Sequence, residues 1–106
     1  MWLGIMLLAI GAPGADQSAP SVERDARAVC GQRWPDDFAL QAACVRNARD
    51  GAASWDEIRK RYRDNPAMGR ALEGCVKRHT KDGLINWALV GGCARNQEQG
   101  LINLTP

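Results

Sequence analysis

The chain is poor in the residues that most enzymes work with. Its 106 residues include one histidine, one phenylalanine and one tyrosine. With a single imidazole and few hydroxyls, there is little from which to assemble a nucleophile and base pair of the triad kind. No C-x-x-C occurs, so the usual signature of thiol–disulfide catalysts is missing. Excess charge of one sign is missing too. Fourteen Lys+Arg against 12 Asp+Glu leave a net +2, which gives no general electrostatic reason to expect nucleic acid or an anionic membrane as partner. The longest apolar run, Trp2 to Ile10, falls well short of the roughly 20 residues a spanning helix needs. No segment alternates with period two for long enough to argue a strand. The length leaves room for one domain, and 45% hydrophobic residues with 25% charged ones exclude a disordered chain.

What the chain does have is four cysteines, four tryptophans and an uncharged start. The first 14 residues, MWLGIMLLAIGAPG, carry no charged side chain, and their apolar run ends in small residues. That is the anatomy of a signal peptide, with cleavage expected after Gly14 (Ala12 at the minus-three position) or after Ala15. No cysteine follows directly, so a lipid anchor is not expected. The expectation is a periplasmic or secreted protein of about 92 residues with no stable membrane anchor after cleavage.

Residues 15–20 read as a polar leader. A first helix is expected from Ser21 as N-cap to about Gln32, with Glu23 and Asp25 in its positive first turn. Trp34-Pro35-Asp36-Asp37 interrupts it, because Pro35 biases Trp34 away from the helical region. A second helix should run from Asp37 towards Asp50 and stop at Gly51. Ser54-Trp55-Asp56-Glu57 has the form of a capping box and predicts a third helix over 54–64. Asn65-Pro66 predicts a fourth, reaching about Thr80, and Lys81-Asp82-Gly83 a short turn. A fifth carries Trp87, Val90, Gly91 and Ala94 and closes near Gly100, leaving 101–106 as a tail. The class is all-α, with about five short helices.

The chain repeats itself. FALQAACVRN at 38–47 aligns without gaps on WALVGGCARN at 87–96, with five identities: Ala39/Ala88, Leu40/Leu89, Cys44/Cys93, Arg46/Arg95 and Asn47/Asn96. In the same register Asp37 falls on Asn86, Phe38 on Trp87 and Gly51 on Gly100. Each copy has an upstream cysteine, Cys30 or Cys75. The chain therefore reads as two tandem helical hairpins, 21–52 and 66–100, within one domain spanning 21–100 and joined by the helix at 54–64. A hairpin of two short helices buries too little by itself and needs a staple or a neighbour. Of three possible connectivities, Cys30–Cys44 and Cys75–Cys93 place each bond across a hairpin. Trp34, Phe38, Trp55 and Trp87 are the expected core.

Cys30-x3-Trp34-Pro35-Asp36-Asp37-Phe38-x5-Cys44 resembles a motif of small exported proteins of bacteria and their phages, written C-x3-W-P-x-D-F-x5-C with Gln after three more residues. The second unit keeps the tail as Cys93-x3-Gln97. The first unit has Ala48 at the Gln position, and the second lacks the Trp-Pro-Asp run. The resemblance implies paired-cysteine helical hairpins and export, and it carries no activity with it.

Three groups of side chains invite chemistry. Cys75 and His79 stand one helical turn apart and Cys93 is available to join them, which makes a metal-binding or thiol-redox protein the alternative to a simple staple. In an oxidising compartment, however, thiols pair with each other. Asp36 and Asp37 follow Pro35 at a helix start, where carboxylates serve as caps. Arg59, Lys60, Arg61 and Arg63 form a basic cluster, but Asp56 and Glu57 lie four residues before Lys60 and Arg61 and neutralise half of it. No metal site, no cofactor and no catalytic residue is expected. The sequence points to a non-catalytic binding or structural module acting on a protein partner in the exported compartment.

Overall fold

The computed structural model describes residues 19–106; the expected signal segment and almost all of the expected leader lie outside the described residues. Four helices and one very small hairpin follow in order: α1 (Pro20–Arg33), α2 (Phe38–Arg61), α3 (Pro66–Arg78), β1 (Thr80–Lys81), β2 (Leu84–Ile85) and α4 (Trp87–Leu104). The fold is all-α, and two disulfides staple α1 to α2 and α3 to α4: Cys30–Cys44 and Cys75–Cys93, each with Cα atoms 5.7 Å apart.

Local signals set most helix starts. Asp37 accepts from the Leu40 N–H at 2.9 Å, Asn65 from Met68 at 3.0 Å and Asn86 from Leu89 at 3.2 Å, so all three satisfy an orphan donor of the first turn. Helix α1 starts two residues earlier than expected. Pro20 holds its first position with the proline ring pre-set for a helix, and Ala19 rather than Ser21 sits at the cap without a side-chain bond. Asp82 (φ 54°) and Gly83 (φ 77°) make the tight turn between Thr80↔Ile85 and Lys81↔Leu84, the left-handed pair that a two-residue hairpin requires. The flanking strands are two residues long, below any length at which alternation shows.

Two expected stops are not stops. Gly51 lies inside a continuous 24-residue α2, which merges the expected second and third helices and reduces the count among the described residues from five to four. Alanines at 48, 52 and 53 favour continuation and no proline intervenes between 35 and 66, so a single glycine costs only about 1 kcal/mol. Ser54 is therefore mid-helix and caps nothing; its hydroxyl accepts from Arg95 at 3.1 Å. Helix α4 likewise passes through Gly100 to Leu104, so most of the expected tail is helical.

Named contacts define the topology. Glu23 with Arg49 and Cys30 with Cys44 make α1 antiparallel to the first half of α2. Gly51 with Trp87, then Arg61 with Glu98, make the second half of α2 parallel to α4. Helix α3 closes the second unit antiparallel to α4, with Cys75 bonded to Cys93 and Met68 and Leu72 clustered with Ala94 and Leu101. At the α2/α4 crossing the backbones touch. A Cβ on Gly51 would lie 2.1 Å from the Trp87 carbonyl oxygen, and one on Gly91 would lie 2.4 Å from the Gly51 Cα.

The core is divided into three small clusters. One holds Ala26, Cys30, Val45 and Ala48; a second Ile58, Met68, Leu72 and Ala94; a third Cys75, Val90 and Cys93. Trp87 packs against the first and third, and Trp55 against the second and third, so these two half-buried rings join the clusters. Their centroids lie 5.8 Å apart, edge to face. The other two expected core aromatics are elsewhere. Trp34 is half-buried in the α1–α2 turn under the Arg33 guanidinium, and Phe38 is 81% exposed. Phe38 edges the open groove between α1 and α2 and joins none of the three clusters, so nothing encloses its ring.

Asp25, expected as a first-turn charge, is 1% exposed. Its carboxylate pairs with Arg24 at 3.0 Å and accepts the Ile85 N–H at 3.3 Å. That bond ties α1 of the first unit to the hairpin of the second.

Candidate functional site

The cysteine and histidine cluster is consumed by structure. Cys75 and Cys93 are bonded to each other, so neither offers a thiolate to a metal or a substrate. Arg78 donates to Cys93 Sγ at 3.3 Å. His79 ends α3: its N–H bonds the Cys75 carbonyl and its own carbonyl accepts from Asn86 at 2.9 Å. Among the described residues no group of three or more His, Cys, Asp or Glu side chains is placed to hold a metal ion. The metal alternative thus loses the two thiolate ligands it was built on. Asp37 is an N-cap and Asp36 is exposed, so the two do not form an acid pair.

The basic cluster is largely paired. Asp56 binds Arg59 at 2.7 Å and Lys60 at 3.0 Å, while Arg61 reaches both Glu57 and Glu98. Arg59 also lies 5.5 Å over the Trp55 ring. These guanidinium and ammonium groups hold the Asp56 carboxyl below the usual carboxylate range. The Arg61 guanidinium and then the Tyr62 hydroxyl do the same to Glu98, and Arg49 does it to Glu23. Tyr62, donating to Glu98, is pushed up.

The lowered carboxyls fix the sign of a pH dependence. Between the folded and unfolded values the unfolded chain binds more protons. Their stabilisation is therefore complete above the unfolded pKa of about 4, and is lost as pH falls through the lowered folded values. The melting temperature should hold level from neutral pH to about 5 and then fall, and Glu98→Gln should flatten part of that fall. A melting temperature that rises on acidification would contradict it. The effect is modest, because all three pairs are solvent-screened.

What remains is surface shape. A groove of about 370 Å³ between α1 and α2 is lined by Phe38, Ala42, Val45, Arg27, Arg46 and Arg49. Glu23 neutralises part of this charge by its bidentate pair with Arg49 at 2.6 and 2.8 Å. A second groove, of about 570 Å³, runs along Val22, Ala52, Trp55 and Trp87; the Trp87 indole N–H is buried without a hydrogen-bond partner. Exposed large apolar side chains concentrate at helix ends: Phe38 and Leu40 at the head of α2, Leu89 near the head of α4, Ile102 and Leu104 at its foot. Sequence patterning placed Phe38 inside and left 101–106 as a tail; the repeat was the only signal available for either end. No helix among the described residues is long and apolar enough to cross a membrane. Comparison with known proteins finds no matching family model, curated protein or solved structure.

Proposed function

We propose that the chain is an exported, non-catalytic interaction module that presents the head of α2 to a protein partner. The observation that carries this is Phe38: a large aromatic, 81% exposed, beside an arginine-lined groove on a helix pinned by a disulfide a turn and a half further on. An exposed aromatic on a rigid element is the kind of group that dominates binding energy at protein interfaces, since little entropy is lost in fixing it. Export is supported by the uncharged apolar start together with two paired disulfides, because thiols in a reducing cytosol rarely stay bonded. A non-catalytic role is supported by what the reactive side chains do: two cysteines staple, Asp37 caps, and His79 closes α3.

Photo-crosslinking tests this in cells that export the full chain. A benzophenone side chain at position 38 should give discrete protein adducts in the periplasmic or secreted fraction, and the same group at Asp82, on the hairpin turn, should not. If position 38 crosslinks no better than position 82, or if the oxidised chain is found only in the cytosol, the proposal fails.

A further inference from the structure

We infer that the chain associates head to tail with a second copy of itself, repeating between molecules the helix crossing that joins its two units within one. This rests on the head of α2 being a contact surface, and it names what covers it. The repeat supplies the argument. Within the molecule, the head of α4 lies on the middle of α2: Trp87 and Gly91 close on Gly51, and Arg95 donates to Ser54 at 3.1 Å. In the register that places Phe38 on Trp87 and Gly51 on Gly100, each partner in this crossing has an equivalent. Phe38, Ala42 and Arg46 stand where Trp87, Gly91 and Arg95 stand. Gly100, Asn103 and Leu104 stand where Gly51, Ser54 and Trp55 stand.

The second set of residues is uncovered on both sides. Phe38 at 81% and Leu104 at 84% are the two most exposed large apolar side chains among the described residues. Ala42 and Arg46 are exposed. A Cβ on Gly100 would meet nothing within 4 Å, whereas one on Gly51 would strike α4. Arg46 would meet the foot of α4, where the negative end of the helix dipole favours a cation and the Asn103 side-chain oxygen, which accepts from Gln99 at 3.0 Å, keeps a second lone pair.

One molecule cannot make this contact alone. The second half of α2 runs parallel to α4 with Gly51 level with Trp87 and Gly91. Phe38 therefore lies about 20 Å to one side of that level and Leu104 about 20 Å to the other, at 1.5 Å per residue. The two surfaces face different molecules, and the contact is heterologous, so each added copy leaves a free end. It is weaker than the internal crossing for two reasons. Ala42 carries a Cβ where Gly91 has none, which holds the helices further apart, and α4 continues for a single turn after Gly100. Association should therefore appear only at high concentration, between about 10 µM and 1 mM, rather than as a tight dimer.

Sedimentation velocity of the oxidised exported protein tests it, with Phe38→Asp and Leu104→Asp as variants. Both positions are exposed, and unchanged thermal melts will show that both variants fold. The wild type should sediment faster as concentration rises, without settling at a dimer. Each variant alone should remain monomeric. An equimolar mixture should recover association and stop at a one-to-one pair, because one variant keeps the head and the other the foot. A wild type that stays monomeric to 1 mM, or a mixture no better than its components, overturns the inference. Position 38 crosslinking only to a different protein would overturn it as well, while leaving the interaction-module proposal standing.

Discussion

Gly51→Ala is expected to destabilise the protein by about 3 kcal/mol, although alanine is the better helix former. In an open helix the exchange gains about 1 kcal/mol by reducing the freedom of the unfolded chain. Here the new methyl would sit 2.1 Å from the Trp87 carbonyl oxygen and 2.8 Å from the Ala88 Cα, both backbone atoms that no rotamer change can move. The helices must separate, and separation also loosens the Trp55–Trp87 contact and opens space around Val90. Gly91→Ala should cost a similar amount. The double variant should cost less than the sum, since one separation relieves both clashes. Gly69→Ala is the control: nothing lies within 4 Å of its Cβ position, and it should gain a few tenths to 1 kcal/mol. Urea unfolding followed by circular dichroism reads all four. A Gly51→Ala protein as stable as Gly69→Ala would mean that the helices do not cross where described.

Removing the second staple, by Cys75→Ala with Cys93→Ala, is expected to cost at least about 3 kcal/mol. The chain-entropy model gives about that for its sequence separation of 18, and nearly the same for the 14 of Cys30–Cys44. Packing makes the second bond the costlier one. Cys75 has no exposed surface and Cys93 is also buried, whereas Cys44 of the first pair is half-exposed. Leu72 and Val90 are the only full-sized aliphatic side chains that are completely buried among the described residues, so the apolar core offers little reserve. Against a typical total of 5–15 kcal/mol, losing both staples should leave the chain largely unfolded at about 37 °C. Thermal melts with and without a phosphine reductant check this. A reduced protein that melts within a few degrees of the oxidised one would show that the helices hold without their bonds.

Much of this architecture was legible without coordinates. Short polar side chains before helices at Asp37, Asn65 and Asn86 acted as caps because capping is decided within three residues. The cysteine pairing followed from the repeat, since each hairpin had two cysteines and one turn. The basic cluster was paired as its four-residue spacing indicated. Glycine misled. Gly51 and Gly100 carry the same local signal, and neither stops its helix. What Gly51 does instead is admit a second backbone, and that backbone arrives 36 residues later in the chain, at Trp87.

The aromatics make the same division. Sequence alone determined that Phe38 and Trp87 occupy equivalent helix heads, that each head is capped, and that a disulfide pins each helix to its predecessor. Tertiary structure decided that Trp87 is packed against two clusters while Phe38 faces solvent. Capping and pairing are short-range and travel with each copy of the repeat. Burial is not a property of the copy: it depends on whether a preceding unit lies opposite, and the second unit has one where the first does not.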